Sequence, residues 1–382
     1  MLKNAFSRRL LKKVQMQGGA RCAGYPREWV GGVLGCYVAA PRERANAADG
    51  PFSATCEGPA ASGGRGAPIR EGMVGHLPVL REEVLQVLAP RQGGCYCDGT
   101  VGGGGHAEAI LEASAPDGVL LGVDRDPEAL AVAAERLRRF GGRARLVHGD
   151  YRALDDLART AGLAPFDGIL LDLGVSSLQL EDPARGFSFS HDGPLDMRLD
   201  RTGPGPTAAD LLRRLRAEEL ERLLRELGEE RWARRIARAL VAARDRAPLV
   251  GTADLARVVE RAIPRRAWPP RIHPATRTFQ ALRIAVNREL EGLGQALAAA
   301  AVLLRPGGRL VAIAFHSLED RAVKHAFRHL AAAGTAGILT RRPVTPTVSE
   351  VATNPRSRSA RMRAIEASAA PHGAGPRAGV VG

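Results

Sequence analysis

Asp98-Gly99-Thr100-Val101-Gly102-Gly103-Gly104-Gly105-His106 is the stretch whose reading decides the fold. It follows Gly94 to Asp98, which reads as a β-strand, and it opens a helix from Ala107. Glycines let the backbone approach a ligand closely, and a helix N-terminus presents unpaired N–H groups. Five glycines at a strand-to-helix junction therefore point to a binding loop more than to a merely flexible turn. The strict dinucleotide fingerprint G-x-G-x-x-G is absent. Counted from Gly102 or Gly103, its third glycine falls on Ala107 or Glu108.

Outward from this loop, strands and helices alternate. Gly118 to Asp124 is an apolar strand, and Asp126-Pro127 then starts a helix, with Asp as N-cap and Pro at the first helical position. Arg145 to His148 is a third strand. Phe166 to Leu173 contains a fourth, Ile169-Leu170-Leu171, which ends at Asp172. Continuous apolar strands separated by helices imply a buried parallel sheet. From Thr207 to Ile263 the pattern is helical and strongly charged, with a capping box at Thr207 and Asp210. The strand–helix pattern resumes with a helix through Ala285 to Leu304, a turn at Arg305 to Gly308 and a strand from Leu310 to Phe315. Ser317 to Asp320 then starts another helix. The expected fold is thus one α/β domain interrupted by a helical insert, without internal repeats.

The 382 residues carry 55 Lys and Arg against 41 Asp and Glu, a net charge of +14, and all but four of the basic residues are Arg. The planar guanidinium suits phosphate and base edges, so nucleic acid is the first partner class to consider. The alternative is an Arg-rich coding bias on a solvated surface. Residues 1–72 hold eleven of the basic residues and five acids, with no sustained period. They superficially resemble a transit peptide but are expected to be a disordered tail or a mis-assigned start. The longest apolar runs, such as Ala296 to Leu304, fall short of the roughly 18 residues that span a bilayer, so no membrane segment is expected. Cys22, Cys36, Cys56, Cys95 and Cys97 form neither a disulfide framework nor a zinc pattern. A cytoplasmic location and no metal are the expectations.

Four acids stand at the carboxyl ends of four strands: Asp98, Asp124, Asp150 and Asp172. Asp124, 19 residues after Gly105, is placed where α/β nucleotide sites hold a ribose. Asp150-Tyr151 falls where an adenine edge and face would lie. So many carboxylates suit a ligand with a ribose, an amine and a positive charge, such as S-adenosylmethionine, and would serve the two phosphates of NAD poorly.

Residues 73–366 resemble the bacterial 16S ribosomal RNA cytosine-N4 methyltransferases almost end to end. The resemblance is carried by His76-Leu-Pro-Val-Leu80, Asp98 to His106, Val123-Asp-Arg-Asp126 and Leu170-Leu-Asp-Leu-Gly-Val-Ser-Ser177. It continues through Arg185-Gly-Phe-Ser-Phe189, Asp192 to Arg198, Gly228-Glu-Glu-Arg231, His273 to Gln280, Phe315 to Arg321 and Asn354 to Ser359. It implies a class I, Rossmann-like methyltransferase fold with a mostly parallel sheet and an inserted helical domain. The implied division is 73–182 with 283–382 for the methyltransferase domain and 183–282 for an RNA-recognition insert. The implied reaction moves a methyl group from S-adenosylmethionine to N4 of a decoding-centre, P-site cytidine in the small ribosomal subunit. The implied cofactor contacts are Gly104, Gly105, His106, Asp124, Tyr151, Asp172 and Gln179.

Asp172 is also the expected acceptor of the amine proton, because the Pro-Pro clamp of DNA amino-methyltransferases is replaced here by Asp172-Leu173-Gly174-Val175. Arg234 and Arg238 on the insert, with Arg356 and Arg358 near the C-terminus, are the expected RNA contacts. His316 reads as a helix cap or a substrate-side residue, and Trp268 as core more than as a stacking platform. A homodimer is left open. Two rival classes are a dinucleotide oxidoreductase, disfavoured by the missing fingerprint, and a non-catalytic RNA-binding scaffold, which need not bind the cofactor.

Overall fold

The computed structural model describes residues 78–369; the expectations for residues 1–72 lie outside them. A seven-stranded sheet runs in the order β3-β2-β1-β4-β5-β7-β6. Its strands are β1 (Cys95–Asp98), β2 (Val119–Asp124), β3 (Ala144–His148), β4 (Phe166–Asp172), β5 (Leu304–Ala314), β6 (Ala336–Ile338) and β7 (Arg361–Ala367). The first five are mutually parallel, whereas β7 pairs antiparallel with both β5 and β6. The sheet is thus mostly parallel, as expected, with an antiparallel edge.

Side chains alternate between two cores, as the two-residue period of a strand dictates. Leu121, Val123, Ile169, Leu171, Leu310 and Ala312 face one side. They pack under α4 (Leu154–Ala161), α11 (Leu293–Val302) and α12 (Ser317–Ala332). Tyr96, Leu120, Leu170, Val311 and Ile313 face the other. There they meet α1 (Arg81–Leu88), α2 (Gly105–Ala113) and α3 (Pro127–Leu137). Coverage on both faces explains why the strands read as unbroken apolar runs. Asp98, Asp124 and Asp172 end β1, β2 and β4, and Asp150 follows β3 by two residues, so all four acids lie beyond the carboxyl ends of parallel strands.

Between β4 and β5 the chain forms α5 (Ser177–Glu181), α6 (Ala208–Arg214), α7 (Ala217–Gly228), α8 (Ala233–Arg244), α9 (Thr252–Ala262) and α10 (Thr276–Asn287). Helix α10 runs through positions 282 and 283. The Thr207–Asp210 capping box is present, and the Asp126 side chain accepts the N–H of Glu128 at 3.0 Å with Pro127 following it. One local expectation changes. The helix foreseen through 285–304 breaks between Arg288, which is left-handed at φ 53°, and Gly292 at φ 70°, giving α10 and α11. Helix α12 starts at Ser317, as expected, with His316 as its cap. Among the described residues, no helix is long and apolar enough to cross a membrane.

Candidate active site

The loop after β1 is stitched to its neighbouring strands by main-chain bonds. Gly99 N–H donates to Leu170 O at 2.9 Å and Val101 N–H to Val123 O at 2.9 Å. Thr100 uses its hydroxyl to accept the N–H of Asp172 at 2.6 Å. Asp124 accepts from Gly102 N–H at 2.8 Å through one oxygen and from Asp126 N–H at 2.9 Å through the other. Gly104 sits at φ 83° immediately before α2, and a Cβ there would lie 3.3 Å from the Ala133 backbone. A side chain at that position would meet both backbone strain and helix α3.

These elements line a cleft of about 560 Å³, within the ordinary range for a cofactor site. Gly105, His106, Asp124, Tyr151, Asp172 and Gln179 all line it, with Gly104 in the turn beneath. The floor of the cleft is acidic and poorly solvated. Burial, together with the charge of Asp124, pushes the Asp98 carboxyl up to about 7 against a hydrogen bond from Thr100. Burial and the charges of Asp98 and Glu319 push Asp172 well above the carboxylate range. Burial and the nearby Arg81 charge lower His106 to about 4, so its ring is neutral at pH 7.

Two buried atoms in this floor lack hydrogen-bond partners: His106 Nε2 and Asp172 Oδ1. His106 Nε2 lies 3.8 Å from Asp172 Oδ2, and with a neutral ring this contact is not an ion pair. An unsatisfied carboxylate oxygen facing a cleft fits a ligand that carries donors and positive charge. S-adenosylmethionine meets that requirement with its ammonium, its sulfonium and its ribose hydroxyls. The residues present therefore fit the group.

Other sequence-singled residues are committed elsewhere. The Asp150 carboxylate is half-buried, yet Arg152, paired at 2.9 and 3.0 Å through Nε, holds it below its ordinary range, and Arg125 Nε lies 3.3 Å away. Gln179 spends its amide on the Ser176 N–H at 2.9 Å and on Asp126 Oδ2 at 2.7 Å, so it braces the wall it lines. Arg356 pairs with Glu181 at 2.8 Å. Arg234 and Arg238 are exposed on α8. Charge alone suggests that the run from Arg356 to Arg363 faces phosphates, but Arg363 is buried against Asp320 at 2.6 Å. It is part of the core of the sheet edge.

The far wall of the cleft is not foreshadowed by any spacing in the chain. Phe187 and Phe189 come from the loop after α5, Phe279 and Arg283 from α10, and Phe315, His316 and Glu319 from the β5–α12 junction. The Phe189 ring lies 4.4 Å from His273 and 5.0 Å from Phe279, centroid to centroid. The matched stretches 185–189, 273–280 and 315–321 are the available signal, but only as motifs. Glu289, His316 and Glu319 bring ligand atoms within 4.8 Å of one another. Arg283 Nη2 already stands 2.8 Å from Glu289 and 3.9 Å from Glu319, so a guanidinium occupies the cationic position of that cluster.

Residues 73–368 match the model of the MraW methylase family. The chain is 54% identical over 307 residues to the ribosomal RNA small subunit methyltransferase H of Pelobacter propionicus, covering 76% of this chain and 98% of that protein. The protein of the same name from Geobacter sulfurreducens is 54% identical over 306 residues, with the same coverage. That of Syntrophobacter fumaroxidans is 50% identical over 311 residues, covering 78% and 97%. A match across the whole α/β body, with the acid-lined cleft at its centre, leads to one conclusion: the chain belongs to the MraW methylase family.

Proposed function

We propose that the chain transfers the methyl group of S-adenosylmethionine to the exocyclic N4 of a P-site cytidine in the 16S ribosomal RNA of the small subunit, in the cytoplasm. The coarser statement, an S-adenosylmethionine-dependent ribosomal RNA methyltransferase, follows from the family and its relatives. For the finer one, the supporting observation is the unpartnered Asp172 Oδ1 at the end of β4, to which an exocyclic amine can donate an N–H.

Cytosine N4 is a poor nucleophile because its lone pair is delocalised into the ring. The bound cofactor supplies an activated methyl on a sulfonium. The chain's task is to hold the amine in line with it and accept its N–H bonds, and positioning of this kind can supply about 7–11 kcal/mol of a barrier. In the proposed complex the target base leaves its stack and enters the cleft, against the Phe189 and Phe279 wall. Gly104, Gly105, His106, Asp124, Tyr151 and Asp172 hold the cofactor, with Gln179 fixing the wall. Residues 183–282 act as the RNA-recognition insert on the methyltransferase body of 73–182 and 283–382.

The test is methyl transfer from labelled cofactor to small subunits of a strain lacking the modification, with the nucleotide mapped. A label on another base or another atom would overturn the proposal. Asp124→Ala should lower cofactor affinity more than tenfold while the fold persists, since charge-assisted bonds to ribose hydroxyls are each worth roughly 1.5–3 kcal/mol; unchanged calorimetric binding would remove Asp124 from the site. Replacing Arg234 and Arg238 with Ala should weaken particle binding and reduce the log–log salt slope by about one unit per lost phosphate contact. An unchanged slope would make them a solvated face.

A further inference from the structure

A second, smaller cavity of about 240 Å³ adjoins the cleft and shares Phe315 and His316 with it as a common wall. Its chemistry is opposite to that of the acidic floor. Arg358 and Arg361 line it, together with the hydroxyl residues Ser317, Thr345 and Ser359, and no carboxylate is among its lining residues. The N-terminus of α12, a helix of 16 residues, opens beside it. First-turn N–H groups and the positive end of the helix dipole favour an anion there.

The two neighbouring arginines have acidic partners. Arg356 pairs with Glu181 at 2.8 Å and Arg361 with Asp320 at 3.3 Å. Arg358 has no carboxylate within ion-pairing distance among the described residues, and it lines both cavities. His316 adds a second, independent sign. Its side chain is 7% exposed, and its Nε2 lies 3.1 Å from Glu319 Oε1 but makes no hydrogen bond. Because Nδ1 accepts the N–H of Glu319 at 3.3 Å, the ring proton sits on Nε2. The shared wall thus presents a buried donor without a hydrogen-bonded acceptor.

We propose that this smaller cavity is a phosphate subsite that takes the RNA phosphodiester flanking the methylated nucleotide, with Arg358 as its principal cation. Base and phosphate of one nucleotide are then gripped on the two sides of the Phe315–His316 wall, the base among carboxylates and rings, the phosphate among guanidinium, hydroxyl and helix N–H groups. The proposal rests on the RNA-methylation reading above and adds the position at which the backbone is held. Phosphate contacts fix register without reading sequence, which is what a cleft must do before a single base can be aligned with a methyl group.

The experiment compares the wild-type protein with Arg358→Ala and Arg358→Lys in binding to unmethylated small ribosomal subunits over a range of salt. Arg358→Ala is expected to weaken binding about tenfold and to reduce the log–log salt slope by about 0.7–0.9, the value for one lost phosphate contact. Arg358→Lys keeps the charge, so it should retain the slope while recovering only part of the affinity, because the planar fork is gone. A wild-type slope in Arg358→Ala would overturn the subsite whatever the affinity does, as would an Arg358→Lys slope equal to that of Arg358→Ala. Mapping the methyl group on wild-type product is a separate readout. If it places the methyl elsewhere, the cytidine reading falls while the slope still reports on the phosphate contact.

Discussion

Asp172→Asn is expected to cut kcat by about 10²–10⁴-fold at saturating cofactor, the range for loss of a positioned proton acceptor. The substitution keeps the size of the side chain and one acceptor oxygen but removes the charge. The Thr100 hydroxyl bonds the main-chain N–H of Asp172, not its carboxylate, so the strand end should keep its place. Asp172 could also serve the cofactor alone. In that case affinity falls and the saturated rate survives. A mixed outcome weighted towards kcat is expected here, because Oδ1 is buried without a hydrogen-bond partner. The pH profile gives a second reading. Only the ionised carboxylate accepts a proton, and burial with the charges of Asp98 and Glu319 raises its pKa well above the usual value. Wild-type single-turnover rates should therefore fall as pH drops through that raised pKa, and the limb should vanish in Asp172→Asn. Rates equal to wild type at saturation would falsify the assignment.

The legible features of the sequence are those that are local along the chain. An apolar run that ends in an acid marks a strand end, so Asp98, Asp124, Asp150 and Asp172 stand out in the chain itself. A glycine run between strand and helix marks the binding loop in the same way. The far wall is not local. Phe189, Phe279, Arg283 and Glu319 come from a loop, a helix of the insert and the β5–α12 junction, and no spacing in the chain announces that they meet. The break at Arg288 to Gly292 is hidden because the Ala-rich α11 continues the helical period on its far side. Burial of Arg363 is hidden because its partner Asp320 is 43 residues away on α12. His316 reads in the sequence as either a cap or a substrate-side residue; in the fold it caps α12 and also forms part of the cleft wall.

Arg185→Met should destabilise the fold by about 3–5 kcal/mol, the cost of removing one partner from a buried ion pair. Arg185 is 2% exposed. It donates to Asp126 Oδ2 at 2.7 Å and to the carbonyls of Arg198 and Leu199 at 3.1 and 2.8 Å. Asp126 in turn caps α3, accepts from Gln179 and donates its N–H to Asp124. One guanidinium therefore ties Asp124 to the loop that carries Phe187 and Phe189. Gly186, the next residue, is held at φ 72° with its α-carbon against the Pro194 carbonyl, where a Cβ would stand 2.1 Å from the oxygen. The loop has little room to find another path. Denaturant titration should show the loss at constant m-value. Adding Asp126→Asn to Arg185→Met should recover part of it, since the stranded charge is gone, although the caps and the Gln179 contact are weakened. In the single variant, misplacement of the aromatic wall should raise KM for the RNA substrate by more than it raises the cofactor Kd. A change confined to the cofactor would place Arg185 in support of the β2 end alone, and an unchanged midpoint would show that the pair is replaceable by packing.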